Sequence, residues 1–144
     1  MDQIESVRIR LEQATGLPAV LDAGYEAFEE MLPALEEQED RGGAAFAAFV
    51  MSATAAANGR DALAAAPSLP LAPSGALVAL TAGRSSGLAM EDPAAILAGL
   101  SQMLSSRLAA VSDLSADVGD KVACAQAARH AATICSLLGR TPEP

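Results

Sequence analysis

The chain has 144 residues and a formal net charge of −9, with 51% hydrophobic, 19% charged and 3% aromatic residues. Its length is that of one domain, and its hydrophobicity excludes a chain too polar to collapse. Two cysteines exclude a disulfide scaffold, and 9 basic residues against 18 acidic, with no basic run, exclude nucleic acid as a partner.

The hydrophobic fraction overstates the core. Of 74 apolar residues 34 are alanine, and the four aromatics (Tyr25, Phe28, Phe46 and Phe49) all fall between residues 25 and 49. Ile4, Val7, Leu11 and Ala14 recur three or four apart and predict a first helix, stopped by Gly16. Pro18 then opens a second helix, roughly residues 18–39. Leu17, Val20, Leu21, Gly24, Phe28, Met31, Leu32 and Leu35 fall on its apolar face. Asp22, Glu26, Glu29, Glu30, Glu36 and Glu37 fall on its polar face, and Pro33 predicts a kink or a break there. Gly42-Gly43 is the next turn. A third helix, marked by Phe46, Phe49, Val50, Ala53 and Ala57, is expected to stop near Asn58-Gly59. A short helical piece follows over residues 60–66.

Residues 62–92 read as a loop-rich segment inside a single domain of residues 1–144. Residues 62–83 carry no charge, but Pro67, Pro70 and Pro73 argue against a membrane span. Residues 76–82 fit a strand or a helix. Asp92-Pro93 is a strong helix start, and Leu97, Leu100, Leu104, Leu108 and Val111 continue that helix. Ser115 is placed to cap the last helix, about 116–138, with Cys124, Ala128, Ala131, Cys135 and Leu138 on one face. Those cysteines lie eleven apart on one helix, about 16 Å, beyond disulfide reach. Free thiols together with the absence of a leader pattern at the N-terminus point to the cytoplasm. The expected fold is all-α, a compact bundle of about five main helices around a Pro/Gly-rich central loop, with no substantial sheet.

Three motifs bear on chemistry. Gly83-Arg84-Ser85-Ser86-Gly87 matches the nucleophile-elbow pattern, but that motif needs a strand-to-helix turn on a parallel sheet, which so short a helical chain cannot supply. Asp120 and His130, its nearest triad partners, are about 15 Å apart along one helix. The loop reads instead as flexible, with anion binding by Arg84 and backbone N–H groups as the functional alternative. The single histidine, His130, excludes a di-iron carboxylate site, and Cys124 and Cys135 project away from it, which argues against zinc. Eight carboxylates between Asp22 and Asp40, with no Lys or Arg among them, form the most distinctive feature. Like charges three or four apart repel mildly, so water and salt, Arg8 and Arg10, or a basic partner must offset them.

No catalytic constellation, metal site or cofactor is expected. The reading that follows is a non-enzymatic, homo-oligomeric protein-interaction module, with Glu26, Glu29, Glu30, Glu36 and Glu37 as a surface for a basic protein partner. The alternative is a small-molecule-binding bundle with a pocket near Phe28, Phe46 and Phe49 and a lid that includes Arg84 and Ser85.

Overall fold

The computed structural model describes residues 2–43, 45–69 and 92–139. These form five helices and, among the described residues, no strand: α1 (Asp2–Gln13), α2 (Leu17–Arg41), α3 (Phe46–Ala64), α4 (Pro93–Leu114) and α5 (Val118–Gly139). The fold is therefore all-α. Residues 76–82 and the Gly83–Gly87 motif lie outside the described residues.

Helices α2, α3, α5 and α4 pack in a ring, each against the next, and α1 lies over the seam between α2 and α4. The α1 stripe Ile4, Val7, Leu11 and Ala14 is buried there, as its spacing predicts. Arg107 on α4 donates to the carbonyl oxygens of Ala14 (3.1 Å) and Glu12. A helix leaves its last carbonyls unpaired, so this one guanidinium both caps α1 and pins it to α4. Gly16 then takes a left-handed backbone (φ 84°) and Pro18 sits in the first turn of α2.

Helix α2 runs through Pro33 to Arg41 as one helix, so of the kink or break expected there the break does not occur. Pro33 is exposed, and Val20, Leu21, Phe28, Met31 and Leu35 are buried on the other side of the helix. Gly42 and Gly43 make the turn with φ of 67° and 95°, a region L side chains rarely enter.

Helix α3 departs from expectation twice. It passes through Asn58-Gly59 and absorbs most of the separate piece expected over 60–66. Its buried face is Phe49, Ser52, Ala56, Gly59 and Leu63, while Phe46 is 49% exposed. Helix α3 is apolar almost all round, so spacing alone could not orient it. Small residues let it approach its neighbours closely.

Asp92 caps α4 as expected, its Oδ1 accepting from the Ala94 N–H at 3.1 Å. By length and composition α4 is apolar enough to cross a membrane, and its leucines Leu97, Leu100, Leu104 and Leu108 are fully buried in the bundle. The cap of α5 is Asp117 rather than Ser115: its Oδ1 accepts from the Asp120 N–H at 3.1 Å. Ser112 Oγ donates to the Lys121 carbonyl at 2.9 Å and closes the α4–α5 hairpin.

Candidate interaction surfaces

The acidic stretch of α2 divides in two. Near its start, Arg10 of α1 reaches across to Asp22 (3.2 Å) and to Glu26. Glu26 is buried, which removes it from the outward surface where the polar-face reading put it. The reason is the approach of α1, which covers this turn and brings a cation with it. Further along, Arg60 of α3 pairs with Glu29 (3.2 Å) and with its neighbour Asp61 (3.4 Å). Arg41 pairs with Glu37 at 3.1 Å one turn away. Arg8 instead binds Glu5 and Glu12 on its own helix. Half of the acidic run is thus neutralised within the chain. Glu36, Glu39 and Asp40 show no ion pair among the described residues. Burial and the adjacent Glu29 carboxylate push the Glu30 carboxyl above its ordinary value.

Of the aromatic cluster, Phe28 is completely buried and Phe49 nearly so, while Phe46 faces solvent. The Phe28 ring lies against Gly59, where a Cβ would sit 2.5 Å from Cζ. Arg84 and Ser85 lie outside the described residues.

Asp120 does not meet His130. It is buried at the start of α5, and its two oxygens accept from the Ser68 backbone N–H (2.9 Å) and the Ser68 hydroxyl (2.6 Å). This fastens the segment after α3 to α5, with Pro67 stacked on Gly119. The only hint in the sequence is an acid in a helix's first turn, since a contact 52 residues away has no periodic signature. Cys124, one turn on, is fully buried, and Cys135 is half-buried. Burial, with the Asp120 charge second, pushes the Cys124 thiol up to about 11. No metal-binding group of acids, cysteines and histidine forms among the described residues.

A groove runs between α4 and α5, lined by Ser105, Ala109 and Asp113 on one side and Ala125, Arg129 and Ala132 on the other. At the corner of the same hairpin Leu114 (85% exposed), Val118 (74%) and Val122 (47%) stand out. On α5, Val118, Val122, Ala125, Arg129 and Ala132 are spaced four, three, four, three, the 3.5-residue seam of helices that pack on other helices. Sequence reading missed this second stripe because the buried stripe of the same helix is equally rich in alanine. No family model, curated protein or solved structure matches this chain.

Proposed function

We propose that this chain is a non-enzymatic protein-interaction module of the cytoplasm that acts as a homo-oligomer. The observation that supports it best is the set of exposed apolar side chains where α4 ends and α5 begins, Leu114, Val118 and Val122. Exposed apolar residues gathered in one place mark association sites, whereas scattered ones carry no meaning. The carboxylates Glu29, Glu30, Glu36 and Glu37 are the surface a basic protein partner would meet. Size-exclusion chromatography with light scattering tests the oligomer at high micromolar concentration. A mass of twice 14.5 kDa or more is expected, and a clean monomer overturns the reading.

A further inference from the structure

We propose that the outward side of the α2–α3 hairpin takes one helix of a basic, amphipathic protein partner, its apolar side on Phe46 and Val50 and its Lys or Arg residues on Glu36 and Glu39. This rests on the basic-partner reading above and adds the face, the class of partner and the register.

The register comes from three contacts. Gly24 lies against Leu63, Phe28 lies against Gly59, and Glu29 pairs with Arg60 at 3.2 Å. Helices α2 and α3 are therefore antiparallel, and each step along one is matched by a step back along the other. Seven residues make about two turns, so Glu36 comes level with Ala53 on the side of the hairpin where Glu29 meets Arg60. Three residues on, Glu39 comes level with Val50. Helix α3 thus offers a cation to Glu29 but only an alanine and a valine to the next two glutamates. Glu36 is exposed and Glu39 half-buried, and neither has an ion pair among the described residues. Cations for them must come from outside the chain.

The α3 side of this face is apolar. Phe46, Val50, Ala53 and Ala57 follow one another by four, three and four residues, the spacing of a helix-packing seam. All four are exposed or half-buried, and Phe46 is the aromatic an incoming helix would anchor on. One side is thus apolar and the other acidic. A helix laid along such a face buries an apolar stripe and must carry cations along one edge of it. Glu36 and Glu39 are about 4.5 Å apart along α2, which matches basic residues three or four apart on the partner. A second copy of this chain fits poorly. Its net charge of −9 opposes the approach. Among the described residues, its cations that bind neither carboxylate nor carbonyl are Lys121 and Arg129, eight residues and about 12 Å apart on α5. The same negative charge draws a basic partner in.

The test titrates the full chain into two fluorescein-labelled peptides of Leu, Lys and Ala, each about 21 residues or three heptads long. Their composition is identical. One segregates leucine and lysine onto two sides of a helix, and the other has its order shuffled. Anisotropy is read for wild type, Phe46→Ser, Glu36→Lys and Asp113→Lys, with a circular-dichroism melt and a light-scattering mass for each form. All three substituted positions are exposed, so folding is expected to persist. Wild type is expected to bind the amphipathic peptide about tenfold or more tighter than the shuffled one. Phe46→Ser and Glu36→Lys are each expected to weaken that binding by about tenfold. Asp113→Lys makes the same change of charge on α4, across the ring from α3. At 0.15 M salt, charge reaches only about 8 Å, so its effect should stay below about twofold. Equal weakening by Glu36→Lys and Asp113→Lys, or none by Phe46→Ser, overturns this face. A shuffled peptide that binds as tightly overturns the amphipathic partner and leaves the acidic-surface reading standing. A wild type that binds neither peptide overturns both. A wild-type dimer that dissociates in Phe46→Ser overturns the foreign partner in favour of a second copy.

Discussion

Gly59 of α3 and Phe28 of α2 meet where a side chain cannot fit: a Cβ on Gly59 would lie 2.5 Å from Cζ and 2.6 Å from Cε1 of the ring. Phe28 is the largest of the fully buried side chains, so it has no room to withdraw. The glycine that marks a helix stop in sequence is the point where two helices close on the bulkiest core residue.

Gly59→Ala should therefore destabilise the protein although alanine is the better helix former. Overpacking costs about 1–3 kcal/mol, against roughly 1 kcal/mol gained in helix propensity. A fall in melting temperature of about 3–6 °C is expected. Gly99, inside α4, meets nothing within 4 Å, so Gly99→Ala should raise the melting temperature by about 3 °C. Equal stabilisation by both substitutions would show that the ring is free to move.

Arg10 holds a carboxylate, Glu26, that the fold has taken out of water. Truncation to alanine leaves Glu26 buried without its cation, a change that costs about 3–5 kcal/mol in general. Arg10 keeps a quarter of its side-chain surface in solvent, so the expected loss is at the low end, about 3 kcal/mol by urea denaturation. Adding Glu26→Gln should recover part of it, because the uncompensated charge is gone. Arg8→Ala, which removes only exposed pairs, should leave the urea midpoint nearly unchanged. Arg10→Ala and Arg8→Ala behaving alike would mean that Glu26 finds water in place of its partner.

Much of this was legible beforehand, and the exceptions share a cause. Ile4, Val7 and Leu11, the α2 stripe and the Asp92 cap contrast sharply with their neighbours, and all are found where spacing puts them. Glu26 and the rotated face of α3 are not. Glu26 looks like its exposed neighbours until α1 crosses it, and the first half of α3 is too uniformly small and apolar to orient it, its exposed polar stripe being only Thr54, Asn58 and Asp61. Ser52 and Gly59 reach the core because they are small, which a hydrophobicity pattern reads backwards. Among the candidate site residues, Phe28 and Phe49 prove to be core and Phe46 surface, because ring size says nothing of which side of an alanine helix is covered.

Asp120 should control the order of the chain just after α3. Asp120→Ala removes both acceptors of Ser68. Hydrogen bonds to a charged group contribute about 1.5–3 kcal/mol each, and a loss of roughly 2–3 kcal/mol is expected overall. Asp120→Asn should be mild, since its carbonyl can still accept from the Ser68 N–H and its amide can donate to the hydroxyl. Amide hydrogen exchange at Ser68 is the direct readout, with protection expected in wild type and Asp120→Asn and lost in Asp120→Ala. Unchanged protection in Asp120→Ala would place the anchor of this segment elsewhere.

The two thiols should differ in reactivity although they share a helix. Cys124 is fully buried and its pKa is pushed up to about 11 from an ordinary 9.0, while Cys135 is half-buried. The thiolate is the nucleophile, so Cys124 combines lack of access with a small thiolate fraction. Iodoacetamide at pH 8 should modify Cys135 in the folded protein and reach Cys124 only after denaturation, as mapped by peptide mass spectrometry. The same shift has a sign for stability. A group that holds its proton more tightly when folded stabilises the fold below its unfolded pKa, and that contribution is lost as pH rises. Between about pH 9 and 11 the folded state should therefore weaken, and Cys124→Ala should flatten this part of the pH profile even though it leaves a small cavity at neutral pH. If Cys124 labels as fast as Cys135 at pH 8, the start of α5 opens more readily than the buried Asp120–Ser68 contact implies.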